Sequence, residues 1–285
     1  MKNILLVNVL FVLASIVAGQ PTQPTGEAPA ARDPFSPKAL VEESIKNVPC
    51  KIPERKDGVK KLFLEAGALE NDITFETFDK DKAANVVVRK SGKSKETIVI
   101  GAHYDRTSTG CGVTDNWSGV SIIAHIYRTI RGMDTEKSYV FAAFDREEEG
   151  LKGSREMVKG MSEADRANVC SMVNFDSFGQ GYPMALRNAS SSKMVKFAED
   201  FAKESKINFT AVAIEGASSD SASFVEKKIP AITLSGLSSN WQEILHSSND
   251  KVEKVNMDSV YMGYRFGVVF VSKLDGLPCG EFRKD

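Results

Sequence analysis

Histidine is scarce in this chain, with only three in 285 residues (His103, His125 and His246). Any chemistry that needs imidazole must therefore be built from a very small set. Charge of one sign is not in excess either: 37 basic against 38 acidic residues give a formal net charge of −1. That balance carries no footprint for nucleic acid or for an anionic membrane as a partner. Beyond the extreme N-terminus no stretch is long and apolar enough to cross a bilayer. Internal repeats are absent, and four cysteines are too few for a disulfide-built miniature scaffold. What remains, at 42% hydrophobic and 26% charged, is an ordinary globular composition with enough chain for one large core.

The apolar stretch at 4–17, preceded by Lys2 and followed by the small residues Val17-Ala18-Gly19, reads as a signal peptide over 1–19. Residues 20–37 are rich in proline without periodicity and read as a flexible leader, leaving 38–285 as a single folded domain. The expected location is secreted, or periplasmic in a Gram-negative source. Export permits disulfides among Cys50, Cys111, Cys170 and Cys279. Cys170 opens a strand that ends near Asp176, roughly 20 Å away at ~3.3 Å per residue, whereas Cys111 lies close to the candidate site. Cys111–Cys170 is therefore disfavoured, and Cys50–Cys279, joining the two ends of the domain, is the expected pair.

Strands are expected at 73–78, 85–89, 97–102, 138–144, 171–175, 184–187, 210–214 and 231–234. Helices are expected from a Ser36 cap to about 48, and at 58–66, 116–130, 153–159, 191–206, 221–227 and 257–274. Unbroken apolar strands alternating with helices imply an α/β fold whose sheet is buried on both faces. The early strands without intervening helices imply an antiparallel edge, hence a mixed sheet.

Several apolar runs end in acids or histidine. T-I-V-I-G-A-H-Y-D places His103 and Asp105 two apart, on one face of a strand end, where the carboxylate can fix the imidazole tautomer. Asp115 opens D-N-W-S-G, Glu147 and Glu148 lie in E-E-E-G-L-K-G-S, and Asp176 closes N-F-D. His246 follows late, in H-S-S-N-D, with Asp250 four residues on. Each has a plainer reading on its own: a turn hydrogen bond, a helix cap, a solvated helix start. His125, in I-I-A-H-I-Y at mid-helix, reads as structural. Trp117, Phe178 and Trp241 are either pocket walls or core, with core preferred.

Together, G-A-H-Y-D, D-N-W-S-G, E-E-E-G-L-K-G-S, N-F-D and H-S-S-N-D resemble the dinuclear zinc aminopeptidases of the bacterial leucyl aminopeptidase type, metallopeptidase family twenty-eight. The match runs in order from about residue 85 to the C-terminal helix. The resemblance implies a three-layer α/β/α sandwich around a mixed, mostly parallel sheet, with 38–285 as a zinc peptidase domain. It implies two zinc ions, one held by His103 and Asp176 and the other by Glu148 and His246, with Asp115 bridging them. Asp105 would orient His103 and Glu147 would be the general base. A cis peptide after Asp115 is also implied. The substrates would be peptide N-termini and the protein a monomer. Arg106 and Arg146 depart from the common pattern and leave specificity open. A single-zinc glutaminyl-peptide cyclotransferase, a carboxypeptidase or dipeptidase, and a non-catalytic binding domain are the alternatives. Of the three N-x-Ser/Thr sequons, the one at Asn116 would be buried beside the metals; Asn188 and Asn208 would be usable in a eukaryote.

Overall fold

Period-two alternation divides the strand residues between two cores. Val86, Val88, Ile98, Ile100 and Ala102 belong to one apolar cluster, while Val87 and Val99 between them belong to another. A sheet covered on both faces is the consequence. The computed structural model describes residues 34–78, 80 and 83–283. The expected signal peptide, and the expected leader up to residue 33, lie outside the described residues.

In chain order the elements are α1 (Lys38–Lys46), α2 (Ile52–Glu65), β1 (Ile73–Thr77), β2 (Ala84–Lys90), β3 (Thr97–His103) and α3 (Ser118–Ile130). There follow β4 (Ser138–Phe144), α4 (Lys152–Gly160), α5 (Glu163–Asn168), β5 (Val169–Phe175), β6 (Met184–Leu186) and α6 (Ser192–Glu204). The chain ends with β7 (Thr210–Val212), α7 (Ser221–Val225), β8 (Ala231–Ser235) and α8 (Met257–Asp275). One eight-stranded sheet has the order β1-β2-β4-β3-β5-β8-β6-β7. Its centre, β4-β3-β5-β8, is parallel. β2 runs antiparallel to β1 and β4, the edge that the early strands implied. A second reversal, β6 against β8, was not anticipated.

Helices α1, α2, α3, α6 and α8 cover one face, through residues such as Val41, Phe63, Ile122, Val195 and Phe270. Met157 and Val158 of α4 and Phe224 of α7 cover the other, against Val87, Val99 and Phe144. The fold is thus the expected three-layer sandwich. From β3 the chain moves to β4 on one side, then crosses back to β5 on the other. Such a reversal opens a crevice at the carboxyl ends of these strands.

Several boundaries differ from expectation. α2 begins at Ile52 and runs through Gly58, the expected start; a Cβ there would lie 2.5 Å from Pro49 and 3.1 Å from Trp117. The glycine is a close-approach residue, not a boundary. α3 begins at Ser118, because Asp115 and Asn116 have non-helical backbone angles. The short α5, capped reciprocally by Ser162 and Asp165, had no periodic signal. Ser36 does not cap α1: its hydroxyl meets His125 Nδ1 at 3.0 Å and its N–H donates to the Tyr264 hydroxyl at 2.6 Å. The end of the expected leader is therefore part of the core.

The disulfide expectation is corrected. Cys50 pairs with Cys111 and Cys170 with Cys279, at Cα separations of 4.6 and 4.5 Å. Cys111 and Cys170 are indeed apart, but Cys50–Cys279 does not form. α8 has 19 residues and so spans about 28 Å. It starts beside Gly179 at the crevice and ends where Asp275 accepts the N–H groups of Glu136 and Lys137, just before β4. That path carries Cys279 to the amino end of β5, where Cys170 lies, while Cys50 stays at the crevice end with Cys111.

Candidate functional site

β3 delivers His103 to the crevice almost fully buried, at 1% exposure. Its Nδ1 stands 3.3 Å from Asp105 Oδ1. Asp105 also accepts the N–H of Glu147 (3.0 Å) and of Glu148 (3.1 Å) on its two oxygens. One carboxylate thus orients the histidine and holds the turn after β4. That turn is entered through Arg146 at φ 57°. After β5, Asp176 accepts hydroxyl hydrogen bonds from Ser177 (2.9 Å) and Ser219. Ser177 has φ 62° and His246 φ 57°. Each such non-glycine residue costs on the order of 1–2 kcal/mol, and three of them adjoin or belong to this constellation.

Asp115 sits in an irregular turn, Val113–Trp117, with a cis peptide to Asn116, as the resemblance implied. Two buried side chains shape this turn. Asp250 accepts the N–H groups of Val113 (2.8 Å), Thr114 (2.7 Å) and Asp115 (3.0 Å). Asn116 donates to the Phe175 carbonyl (2.9 Å) and accepts from Ser177 (3.1 Å) and Gly119 (2.9 Å), tying the turn to the end of β5. Gly119 permits this contact, since a Cβ there would lie 2.2 Å from the Phe175 oxygen. Behind the turn, the fully buried Arg55 donates to the carbonyls of Tyr104, Pro49 (3.1 Å), Cys111 (3.0 Å) and Gly112 (3.2 Å), and lies over the Trp117 ring.

Asp115 is shared between two donor groups: Oδ1 lies 3.0 Å from His103 Nε2 and Oδ2 lies 3.1 Å from His246 Nε2. Asp176 Oδ1 joins the first group at 3.5 Å from His103, and Glu148 Oε2 the second at 3.2 Å from His246. Within each triad the donor atoms lie within 4.8 Å of one another. Glu147 forms a further group with His103 and Glu148. The electrostatics are those of a cluster short of positive charge. Burial opposes protonation of His103, yet Glu147 and the hydrogen-bonded Asp105, Asp115 and Asp176 hold its pKa well above the usual range. The hydrogen bond to Asp115 pushes His246 up to about 9. Burial, reinforced by Asp115, pushes Glu148 up to about 7, and one of its buried oxygens has no hydrogen-bond partner. Burial likewise raises Glu147 well above a usual carboxylate. Protons here stand where divalent cations would relieve the same charge, and imidazole with carboxylate is a donor set suited to zinc. The residues fit the metal.

All seven expected residues are thus gathered at one crevice. The sequence gives no sign of the supporting roles of Arg55, Asn116, Ser219 and Asp250, although it marks Asn116 as buried beside the site and Asp250 by its spacing from His246. Nor does it mark Asp220, fully buried with both carboxylate oxygens unpartnered, and pushed up to about 7 by burial. Nothing in S-S-D-S signals a buried acid. His125 is structural, bonded to Ser36 and Ser44 and lowered to about 4 by burial. Arg106 donates to the Cys50 and Thr107 carbonyls, and Arg146 faces Glu149 at 3.9 Å. Trp117 and Phe178 are core, whereas Trp241 is half-buried and lines a cavity of about 350 Å³ beside His103, Asp115, Glu148 and His246. Asn116 is buried, and the Asn188 amide nitrogen is engaged with the Ile214 and Ala217 carbonyls; Asn208 is exposed.

Known proteins are similar to this chain in sequence and in fold. Aminopeptidase YwaD of Bacillus subtilis is 24% identical over 214 residues, covering 70% of this chain and 47% of its own. The chain spans about half the length of that relative. A zinc aminopeptidase of Bacillus subtilis superposes with a TM-score of 0.60 at 20% identity, over 70% of this chain and 52% of its own. A glutaminyl cyclase from an Acidobacteriales bacterium superposes with a TM-score of 0.69 at 16% identity, over 87% of this chain and 98% of its own. These structural likenesses establish the fold. The sequence pattern of peptidase family M28 matches residues 85–263, which hold every residue of the crevice named above except Arg55, and the chain belongs to that family.

Proposed function

We propose that the chain is a zinc-dependent exopeptidase, and specifically an aminopeptidase. The observation that carries this reading is Asp115, whose two oxygens face two separate histidines, each with its own further carboxylate. His103 and Asp176 would hold one zinc ion, Glu148 and His246 a second, with Asp115 between them. Bound zinc supplies Lewis acidity to the scissile carbonyl and lowers the pKa of water near it.

The chain's own residues do the rest. Glu147, whose carboxylate burial makes more basic than usual, accepts in its ionised form a proton from the attacking water and delivers it to the leaving amine nitrogen. Asp105 keeps that glutamate in place through its backbone N–H and keeps His103 in one orientation. The adjoining cavity is lined by acids, apolar side chains, His103, His246 and the serines Ser177, Ser218 and Ser235, with no lysine or arginine. Such a lining suits a free α-ammonium group and offers a C-terminal carboxylate no lysine or arginine to pair with, which favours an aminopeptidase over a carboxypeptidase.

A second reading rests on the fold: a glutaminyl cyclase superposes over 87% of this chain with a TM-score of 0.69. A cyclotransferase would use one zinc ion and release no amino acid. Export, the expected setting for either, is supported by two disulfides, which persist in oxidising compartments. Among the described residues no helix is long and apolar enough to cross a membrane.

The deciding experiment is a panel of aminoacyl and N-blocked peptide substrates, with and without a zinc chelator. Release of the first residue from free-amine substrates only, abolished by chelation, is expected. Cleavage of blocked peptides, or cyclisation of N-terminal glutamine without hydrolysis, would displace the aminopeptidase reading.

A further inference from the structure

The cavity carries an acid that belongs to neither histidine group. Glu215 lines it, is exposed, and makes no hydrogen bond or ion pair among the described residues. Zinc at the crevice would offset Asp115, Glu148 and Asp176, but no lysine or arginine lines the cavity to offset Glu215. Five apolar side chains share the lining with it, Leu186, Ile214, Leu237, Trp241 and Leu245, and the serines Ser177, Ser218 and Ser235 are its uncharged polar part. At about 350 Å³ the cavity stands at the small end of the roughly 300–1,000 Å³ typical of ligand sites. That suits one side chain better than an extended peptide.

Glu215 is placed by a built turn. The Ala217 N–H donates to the Ile214 carbonyl at 3.1 Å, and Gly216 between them has φ +76°. A glycine at the third position of such a turn supplies the left-handed backbone and leaves the second position to present its side chain. Asn188, just past β6, clasps the same turn: its amide nitrogen donates to the carbonyls of Ile214 (3.1 Å) and Ala217, and its oxygen accepts the Ile214 N–H (3.3 Å). β6 also supplies Leu186 to the cavity wall, so the rim carboxylate and the apolar wall are anchored to one strand.

A largely apolar lining with one exposed, unpaired carboxylate matches a side chain that has an apolar stem and a terminal cation. We propose that Glu215 is a specificity-determining residue that makes this cavity select lysine or arginine as the N-terminal residue over an uncharged side chain of similar length. The inference rests on the aminopeptidase reading. It concerns the side chain of the substrate, whereas that reading concerns the backbone amine and the scissile bond. Asn188 acts as a positioning residue for Glu215.

The test compares kcat/KM for lysyl and norleucyl p-nitroanilides, which share a four-carbon stem and differ in the ammonium group, on the zinc-loaded full chain. The lysyl/norleucyl ratio should exceed one and fall with added salt. Glu215→Gln should lower the ratio about fivefold, the scale of a rim ion pair, and Glu215→Lys should lower it further. Asn188→Ala, which frees the turn, should move the ratio in the same direction by a smaller factor. A ratio below one in the unaltered protein, or one unchanged within twofold by Glu215→Gln, would overturn the proposal while leaving the aminopeptidase reading standing. Turnover of neither substrate would overturn that reading, and the assignment of the cavity with it.

Discussion

Asp250 accepts the backbone N–H of Asp115 at 3.0 Å across 135 residues of sequence, while its other oxygen takes the N–H groups of Val113 and Thr114. The carboxylate shared by two histidines is therefore itself held by a second, buried carboxylate. Asp250 lies at 2% exposure, four residues after His246, so the segment that supplies one histidine also fixes the turn that faces it.

Removing that support should loosen the site without altering any proposed ligand. Asp250→Ala leaves three buried N–H groups without their charged acceptor. The expected cost is about 3 kcal/mol, a fall of roughly 6–12 °C in Tm, with zinc affinity reduced about 10- to 100-fold. Calorimetry and a zinc competition titration measure the two. A Tm within two degrees of the parent's would contradict the assigned role.

Glu147→Gln tests the proton step. It preserves shape and should leave bound zinc unchanged by elemental analysis, while kcat falls by about 10²–10⁴. Activity within tenfold of the parent would remove Glu147 as the base.

Metal stoichiometry separates the two functional readings. Two zinc equivalents are expected in the unaltered protein, and fewer in Asp115→Ala. One equivalent in the unaltered protein would favour the cyclotransferase. Zinc affinity should also rise with pH up to about 9, because His246, pushed up to about 9 by Asp115, must lose its proton before it can bind. A flat profile between pH 6 and 9 would contradict the proposed participation of His246.

Asp220 sets a pH dependence of stability. Its carboxyl ionises near 3.8 when unfolded and near 7 when folded, because burial disfavours the charge. Between those values the unfolded chain binds fewer protons, so stability falls as pH rises from about 4 to about 7, and the penalty stays constant above. The upper bound is roughly 4 kcal/mol. In chelator-treated protein, Asp220→Asn should therefore be more stable than the parent at pH 8, with the gap narrowing towards pH 5. Denaturant titrations that show no gap at pH 8 would refute this account.

The site residues were legible because they stand where apolar periodicity stops. His103 closes β3, Asp176 follows β5, and Glu147 and Glu148 follow β4, so strand recognition alone places three of these segments at one end of a sheet. Gly58 misled because a glycine that allows two segments to touch looks, in one dimension, like a glycine that ends a helix. Ser36 misled because its partner, His125, is 89 residues away. Neither contact leaves a trace in local pattern.

From the sequence alone follow the α/β class and the eight strands, because side-chain alternation is a property of short segments, whereas the proposed ligands and base came from the resemblance of five motifs to a known family. Only the tertiary structure decided the disulfide pairs, the unpartnered burial of Asp220, the clasp of Asp250 on Asp115 and the placement of Glu215 in the lining of the cavity. The physical reason is range. Those features depend on where long crossovers and the direction of α8 bring residues that are distant in the chain. A hydrogen bond or an S–S bond forms only when that path closes the gap to a few ångströms.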